Sequence, residues 1–299
     1  MLTGIHHTSI TVSDTARSHA FYREVLGFDL VWDSEALGLK FEGPLADTVT
    51  QCPGTSQRLT FMRLGSRLLE FVQYTPAGKA QHDNQMSDTG AAHVGLRASD
   101  IDSLYRRLIE HGARVHCSPQ DVLDMRLFYF RDPDGVGLEA MQGRLIGASP
   151  SDRDDAIHHT SFTVSDMDRS LGFYRDLLGL RTIFDTDDEG MRMEGPVADA
   201  VTGCPDTSQR LVYLAAGTDL LELVEYRPTG RTLLDRKASD TGTCHVCFLT
   251  DDIEGLHARL RESEVVLHCV PQEIGETTVF YYRDPDGIVL EAMGGTPVV

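Results

Sequence analysis

The chain begins with an alternation of apolar and polar residues that predicts a β-strand. Near the amino terminus the sequence reads IHHTSITV, in which Ile10 and Val12 share one face and the polar residues share the other. The segment TARSHAFYREVLG then carries apolar residues at helical spacing and ends at Gly27, which predicts a helix. Ser13 or Asp14 is placed to cap the amino terminus of that helix.

Further runs complete a repeating order of elements. Strand-like segments follow the helix at FDLVWD, LGLKFEG, QRLTFMRL and SRLLEFVQY. The next unit again opens with a strand, AAHVGLRASD. It leads into the helix DIDSLYRRLIEHG and then into short strands at ARVHC, RLFYFRD and GVGLEAM. One strand, one helix and three strands therefore recur, and the second half of the chain repeats the whole order. The pattern predicts an α+β fold built from four βαβββ modules.

The two halves of the chain are copies of one another. Placing each residue over the one 152 positions later, as His7 over His159, aligns residues 5–141 without a gap, and roughly half of the positions are identical. We therefore expect a first domain over residues 1–145, a linker over 146–155 and a second domain over 156–299, with two modules in each domain. The linker region is rich in Ser, Asp and Gly, as domain boundaries tend to be.

Strand alternation places one His or Glu on each of several strand faces that point away from the helices. These residues are His7, Glu70, His93 and Glu139 in the first half, and His159, Glu222, His245 and Glu291 in the second. The helix-free faces of two modules have to curl together to be covered, which would bring two imidazoles and two carboxylates into one cleft. Whether the modules pair within a half or across the halves stays open. His6 and His158 point toward the helices by the same alternation and are predicted to pack or to cap.

Two imidazoles and two carboxylates can hold a divalent cation and neutralise its charge, with open positions left if the ion takes six ligands. Taken singly, a histidine on a strand is more often a core residue, and a glutamate on an open sheet face is usually solvated. Eight such residues kept in register across two copies, when about half of all positions differ, favour a metal site. Mixed nitrogen and oxygen ligands do not select among Ni, Co, Mn, Fe and Zn.

Composition narrows the class of protein. A net charge of −19 and an isoelectric point near 4.9 argue against nucleic acid and against a membrane surface as partners. No stretch approaches the ~20 apolar residues of a membrane span, and the amino terminus lacks a secretory pattern. Six cysteines are too few for a disulfide framework, so we expect a reduced, cytoplasmic protein. Cys244 and Cys247 are spaced C-x-x-C on a predicted strand, where a redox pair is not expected.

Several segments together resemble the vicinal oxygen chelate superfamily. They are the opening IHHTSITVSD with FYREVLG, the segment HVGLRASDID and the ending FYFRDPDGVGLEAM, and the resemblance covers almost the whole chain. This superfamily includes glyoxalase I, methylmalonyl-CoA epimerase, extradiol dioxygenases and bleomycin-resistance proteins. The resemblance implies two tandem glyoxalase-like domains with curled mixed sheets around a metal cleft. It places the four metal ligands on His7, Glu70, His93 and Glu139 and on their counterparts in the second half.

The resemblance also implies a chemistry. In glyoxalase-like members a divalent ion binds two neighbouring substrate oxygens and stabilises an enediolate, while a metal-bound glutamate moves the proton. The chain is therefore expected to be a lyase or an isomerase acting on a small-molecule substrate, as a monomer or a homodimer. The candidate catalytic residues are Glu70, Glu139, Glu222 and Glu291.

Two other members of the superfamily remain as alternatives. An iron(II) extradiol dioxygenase needs two histidines and one carboxylate, for which His159, His245 and Glu291 would serve. The dioxygenase signature expects a histidine where this chain has Gln272 to Ile274, and a further glutamate, Glu222, would block an iron position. A metal-free protein that sequesters a drug typically lacks these ligands and uses an aromatic groove.

Other repeated features carry weaker expectations. RDPDG is predicted to form a hairpin turn, and the stretch that begins EGPLADTVT to form a short helix over the cleft. Arg58 and Arg210 are expected to form salt bridges, although either could meet an anionic substrate group. The pairs His116-Cys117 and His268-Cys269 are expected to support the site or to pack.

Overall fold

The computed structural model describes residues 1–80, 83–147, 154–233 and 236–299, so residues 148–153 of the predicted linker lie outside the described part. Module 1 contains β1 (Leu2–Thr11), α1 (Thr15–Glu24), β2 (Asp29–Asp33), β3 (Phe41–Glu42), α2 (Pro44–Thr50), β4 (Ser56–Leu64) and β5 (Arg67–Thr75). Module 2 contains β6 (Ala92–Arg97), α3 (Ile101–Glu110), β7 (Gln120–Val122), β8 (Met125–Arg131) and β9 (Gly137–Gly143).

The second half repeats this order. Module 3 contains β10 (Ala156–Val164), α4 (Met167–Leu171), which continues as a π-helical stretch (Gly172–Leu177), β11 (Arg181–Asp185), β12 (Met193–Glu194), α5 (Pro196–Thr202), β13 (Ser208–Ala216) and β14 (Asp219–Arg227). Module 4 contains β15 (Cys244–Thr250), α6 (Ile253–Glu262), β16 (Gln272–Ile274), β17 (Thr277–Arg283) and β18 (Val289–Gly295). None of the described helices is long and apolar enough to cross a bilayer.

An aspartate begins the long helix of each module. The Asp14 carboxylate accepts a hydrogen bond from the backbone N–H of Arg17, and Asp100, Asp166 and Asp252 cap their helices in the same way. Such a cap satisfies an N–H that has no partner within the helix and contributes about 1 kcal/mol. The four predicted helices therefore start where the sequence placed them.

The sheets join modules from different halves. Modules 1 and 4 form one sheet, with strand order β16-β17-β18-β15-β1-β5-β4-β2, in which β1 pairs with β15 antiparallel. Modules 2 and 3 form the other, with strand order β11-β13-β14-β10-β6-β9-β8-β7, in which β10 pairs with β6 antiparallel. The short strands β3 and β12 pair with β4 and β13. We call these sheet 1 and sheet 2. The two curled, mixed sheets confirm the α+β fold.

The helices, by contrast, join modules of the same half. The Ser13 hydroxyl, at the start of α1, donates to the Asp134 carboxylate in the RDPDG turn at 2.7 Å, and the Tyr22 hydroxyl donates to Asp132 at 3.2 Å. Module 3 makes the same contacts with the RDPDG turn of module 4. The predicted hairpin turn is present between β8 and β9, and it also anchors a helix.

Two predicted strands differ from the structure. ARVHC forms only an isolated bridge, between Val115 and Phe130, because the outer edge of β8 pairs mainly with the unpredicted β7. LGLKFEG contributes only the two residues of β3. The predicted helix over the cleft is present as α2 and, in the second half, as α5.

The two sheets meet along β1 and β10. The hydroxyls of Thr8 and Thr160 contact each other there, both buried. Arg67 reaches from sheet 1 to sheet 2, where its guanidinium donates to the carbonyls of His158 at 3.0 Å and Thr218 at 2.8 Å. The same guanidinium lies 3.3 Å from the Asp219 carboxylate.

Replacing Arg67 with Ala should weaken this junction. The change leaves two carbonyl groups without their donor and removes a partly buried ion pair, so we expect a loss of about 1–3 kcal/mol in the free energy of unfolding. Urea titration followed by circular dichroism measures it. Arg23→Ala is the control, because that side chain is 68% exposed and, in the described part of the chain, forms an ion pair only with neighbouring Glu24. It should change stability by less than about 0.5 kcal/mol. Equal effects of the two changes would contradict a junction role for Arg67.

Candidate metal centres

Four of the predicted ligands converge on sheet 1, in a cluster we call site 1. Site 1 consists of His7, Glu70, His245 and Glu291. The Nε2 atom of His7 lies 3.4 Å from Glu70 Oε2 and 3.3 Å from Glu291 Oε2. The Nε2 atom of His245 lies 3.9 Å and 3.4 Å from the same two oxygens. Two imidazole nitrogens and two carboxylates thus face one point.

The other four converge on sheet 2, in site 2. Site 2 consists of His93, Glu139, His159 and Glu222. The Nε2 atom of His93 lies 3.2 Å from Glu222 Oε2 and 3.7 Å from Glu139 Oε2. The Nε2 atom of His159 lies 3.4 Å from Glu222 Oε2 and 3.5 Å from Glu139 Oε2. The Nε2 atoms of His93 and His159 are 3.2 Å apart.

The grouping of ligands by half, which the resemblance implied, is wrong. Each site takes one His and one Glu from each half, because each sheet joins one module from each half. The question of module pairing is thereby answered in favour of pairing across the halves. The iron triad His159, His245 and Glu291 is wrong for the same reason, since His159 belongs to site 2 and the other two residues belong to site 1.

Strand register explains why these side chains meet. In sheet 1, Ser9 stands opposite both Glu70 on β5 and His245 on β15. Two residues earlier, His7 stands opposite Cys247, which in turn stands opposite Glu291 on β18. Four adjacent strands therefore place four ligands on one face, around Ser9 and Cys247. Sheet 2 repeats the pattern around Ser161 and Gly95.

The prediction that His6 and His158 point toward the helices is wrong. The β1–β15 register shifts between Ile5 and His7, so that His6 is the extra residue of a bulge and alternation fails there. His6 Nδ1 lies 2.8 Å from His7 Nδ1, and its Nε2 lies 3.1 Å from the carbonyl of Val299. His158 contacts His159 in the same way and reaches the carbonyl of Ile146. These histidines orient the ligand imidazoles so that Nε2 faces the carboxylates.

The clusters fit a divalent cation. All eight residues are at most 7% exposed. Yet His7 Nε2, Glu139 Oε2 and Glu222 Oε2 have no hydrogen-bond partner among the described residues. Buried polar atoms without partners are costly, and a cation coordinated by these atoms would remove that cost. Donor atoms of His7, Glu70 and His245 lie within 4.8 Å of one another, as do those of His93, Glu139 and His159.

The two sites differ in the group whose pKa is raised. Burial lowers the pKa of His7, but the carboxylates of Glu70 and Glu291 beside its Nε2 outweigh burial and raise it to about 10. In site 2 burial lowers the pKa of His93, whereas burial and repulsion from Glu222 raise the pKa of Glu139 well above its usual range. Burial alone would raise the pKa of Glu222, but the imidazoles of His159 and His93 close to its carboxylate hold it well below that range. Without metal the imidazole of His7 therefore carries a proton at neutral pH, and in site 2 the carboxyl of Glu139 takes up a proton more readily than that of Glu222.

A cavity of about 390 Å³ opens onto site 2, where Glu139 and Glu222 form part of its wall. Most of the lining residues are apolar and come from β8, β9, β11, β12, α5 and β13. They include Leu127, Met141, Phe184, Met193, Val201 and Leu211. The helix predicted to lie over the cleft therefore does so in module 3. Among the described lining residues Arg192 is the one cation, beside the acids Asp121 and Glu194.

Two tyrosines in this cavity were not predicted as site residues. Tyr129 stands opposite Glu139 in the β8–β9 hairpin and places its hydroxyl 3.3 Å from His93 Nε2. Tyr213 stands opposite Glu222 in the β13–β14 ladder. In site 1 the equivalent positions hold Tyr281 and Phe61, so only Glu291 stands opposite a tyrosine. Hairpin register around the RDPDG turn was the signal that could have identified Tyr129.

The remaining repeated residues support this arrangement. His116 stacks on Tyr129, with ring centroids 6.2 Å apart, and its Nδ1 lies 3.1 Å from the carbonyl of Val201 at the end of α5. It thereby ties the cavity helix to the tyrosine. Arg58 and Arg210 form the expected salt bridges, with Asp33 and Asp185 at 2.8 Å each.

Comparison with known proteins identifies the family. The model of the glyoxalase/bleomycin resistance protein/dioxygenase superfamily matches residues 4–140 and again residues 156–292. The chain belongs to this superfamily. It carries two tandem copies of the superfamily domain, as expected from the repeat.

Individual superfamily members resemble parts or all of the chain. A 2-epi-5-epi-valiolone epimerase of Actinomyces is 28% identical over 144 residues, which cover 45% of this chain and 76% of that protein. The lactoylglutathione lyase of Haemophilus influenzae is 27% identical over 137 residues, covering 45% of this chain and 89% of its own. The crystal structure of glyoxalase I from Zea mays has a TM-score of 0.65 at 16% identity, covering 97% of this chain and 92% of that one.

Replacing Gly95 with Ala should disturb site 2. A Cβ atom at this position would lie 2.2 Å from Cε1 of His159, so the imidazole has to move. We expect metal affinity at site 2 to fall about 10–100-fold, as when the support of a ligand is lost. Equilibrium dialysis with Mn²⁺ or Zn²⁺ measures it. Gly172→Ala is the matched control, since Gly172 is helical and nothing lies within 4 Å of the added Cβ. Unchanged affinity in Gly95→Ala would contradict the site geometry.

Metal binding should release protons. At pH 7 His7, with its pKa of about 10, is protonated and has to lose the proton before it can ligate. Affinity at site 1 should therefore rise at least about tenfold per pH unit up to about pH 10 and fall as the pH is lowered. Calorimetric titrations in buffers of different ionisation enthalpy count the released protons. Binding with no proton release at pH 7 would rule out the charge state described for site 1.

Proposed function

We propose that the chain is a divalent-metal-dependent lyase or isomerase that moves a proton on a carbon next to a carbonyl group, with site 2 as its reaction centre. The observation that carries the proposal is the cavity of about 390 Å³ that opens onto Glu139 and Glu222. Proton abstraction next to a carbonyl requires a base near the carbon and a positive charge near the oxygen. A cluster of two histidines and two glutamates at the base of a cavity supplies positions for both.

His93, His159, Glu139 and Glu222 would hold the metal in site 2, and the four residues of site 1 would hold a second ion. When bound, a divalent cation acts as a Lewis acid that stabilises negative charge on two neighbouring substrate oxygens. The names of the two curated relatives, an epimerase and a lyase, support this reaction class. The ligand set of two histidines and two glutamates suits Ni, Co, Mn, Fe and Zn alike.

We assign the proton transfer to Glu139. Its Oε2 atom lies 3.7 Å and 3.5 Å from the two imidazoles, whereas Glu222 lies 3.2 Å and 3.4 Å from them. Glu139 is therefore the less tightly held of the two carboxylates. Burial and repulsion from Glu222 also raise its pKa, which makes it the better proton acceptor. Tyr129, opposite Glu139 in the β8–β9 hairpin, flanks this carboxyl in the cavity wall. Glu70 and Glu291 occupy the equivalent positions in site 1.

The cavity wall favours a substrate with little negative charge. Its one described cation, Arg192, is 63% exposed and pairs with Asp187, and the cavity also carries Asp121 and Glu194. A substrate conjugate that carries several carboxylates or phosphates would find little positive charge in this wall to balance its negative charge. Gln209 is 7% exposed, and its amide nitrogen has no partner among the described residues, so it can donate to a neutral substrate oxygen. A small, largely apolar compound with adjacent hydroxyl and carbonyl oxygens fits this wall.

Glu139→Gln should abolish proton transfer while retaining metal. Glutamine keeps the shape and a ligating oxygen but cannot take up the proton, so we expect turnover to fall about 10²–10⁴-fold. Hydrogen–deuterium exchange of the substrate in D₂O, followed by NMR, measures the step directly. Lactoylglutathione and 2-epi-5-epi-valiolone, the compounds in the relatives' names, and simple α-hydroxyketones form the substrate panel.

Two further variants locate the reaction. Glu222→Gln should mainly lower metal affinity, because Glu222 makes the closer contacts with both histidines. Glu291→Gln changes the equivalent residue of site 1. Loss of exchange in Glu291→Gln together with full exchange in Glu139→Gln would move the reaction to site 1. Exchange that is independent of added metal would refute the proposed mechanism.

A further inference from the structure

The two metal centres differ at one position between their ligands. In site 2 this position is Gly95, which stands opposite His159 on one side and Glu139 on the other. In site 1 the corresponding residue is Cys247, opposite His7 and Glu291. The ligand residues themselves are identical in type in the two sites. A thiol has therefore been placed among the ligands of one centre only.

Strand geometry directs the Cys247 side chain into site 1. Cys247 lies two residues after His245 on β15, so the two side chains share a face of the sheet. Its side chain is fully buried, and Cys247 stands directly opposite Glu291 in the β15–β18 ladder. Donor atoms of Cys247, His7 and His6 lie within 4.8 Å of one another. His7 Nε2, only 2% of whose side chain is exposed, has no hydrogen-bond partner among the described residues.

The surrounding residues leave room for a side chain at position 247 of site 1 but exclude one at position 95 of site 2. A Cβ at position 95 would lie 2.2 Å from the His159 ring. In site 1 the rings of His7 and His245 have their centroids 5.8 Å apart, compared with 5.3 Å for His93 and His159. The wider separation accommodates the Cys247 side chain. The arrangement of the histidine rings therefore requires glycine at position 95 of site 2 and leaves room for Cys247 in site 1.

We propose that Cys247 is a fifth metal ligand of site 1, so that the chain holds two chemically different centres. The inference rests on the proposed function in one respect, that the clusters bind divalent metal. On binding, the thiol gives up its proton to solvent and the thiolate sulfur bonds to the metal. Thiolate selects softer ions such as Zn²⁺, Co²⁺ or Cd²⁺, whereas the nitrogen and oxygen set of site 2 also suits Mn²⁺ and Fe²⁺.

A fifth protein ligand also limits what site 1 can do. A six-coordinate ion held by five side chains has one position left, which is too few to chelate two neighbouring substrate oxygens. Site 2, with four ligands, keeps two positions. With the thiolate bound, an ion in site 1 could therefore not be chelated by two substrate oxygens, which leaves substrate chelation to site 2.

Cobalt(II) tests the proposal by spectroscopy and without reference to activity. Metal-free protein is titrated with Co²⁺ under reducing, oxygen-free conditions, and bound metal is counted by elemental analysis. We expect two bound ions per chain and a near-ultraviolet thiolate-to-cobalt charge-transfer band that reaches its maximum at one ion per chain. Cys247→Ser and Cys247→Gly should lose the band and still bind two ions. The glycine variant reproduces the residue found in site 2.

Cys244→Ser is the matched control. Cys244 is a buried thiol on the same strand, but it packs in the main core on the helix side and should leave the band intact. Competition adds a second readout, since the preference of site 1 for Cd²⁺ over Mn²⁺ should fall at least about tenfold in Cys247→Ser.

The outcomes separate this inference from the proposed function. Two bound cobalt ions without a charge-transfer band in the unaltered protein, or a band that persists in both Cys247 variants, would overturn the inference and leave the proposed function standing. Absence of cobalt binding at any ratio would overturn both. A band lost in both variants, with unchanged circular dichroism, supports the thiolate ligand.

Discussion

The pairing of β1 with β15, and of β10 with β6, is the interaction on which the rest of this molecule depends. These two antiparallel ladders join strands that lie far apart in the sequence, and each carries the centre of a nine-stranded sheet. Without them β1 and β15 would be edge strands with unpaired backbone groups, open to pairing with other chains. The same ladders bring His7 beside Cys247 and His159 beside Gly95. Sheet formation and site formation are therefore one event.

Burial of ionisable side chains then determines how the surroundings are built. Eight His and Glu residues at most 7% exposed would destabilise the sheets unless each found a partner. The neighbours come from the strands themselves: His6 contacts His7, Tyr129 stands opposite Glu139 and Tyr213 stands opposite Glu222. Since strands hold side chains more rigidly than loops do, the donor atoms are preorganised around the place a cation would take.

Strand alternation was sufficient to predict which His and Glu residues face away from the helices, because it depends only on the period-two geometry of an extended chain. It failed at His6, where a bulge inserts one residue and changes the face. The partner of each module could not be deduced, since the two copies present similar strands and either pairing satisfies the same hydrophobic pattern. In the sequence alone Cys247 is only half of a C-x-x-C pair, because its neighbours His7 and Glu291 in the fold depend on which modules pair.

The contact between Arg67 and Asp219 has a consequence for how such a chain can arise. Asp219 occupies in the second copy the position that Arg67 occupies in the first, and the two groups lie 3.3 Å apart at the junction of the sheets. In a symmetric dimer of identical single domains, any residue next to the two-fold axis faces its own copy, so opposite charges cannot meet there. Fusion into one chain removes that restriction. Two amino-terminal halves brought together would now place one guanidinium against another. The junction therefore discriminates between the correct partner and a second copy of the same half.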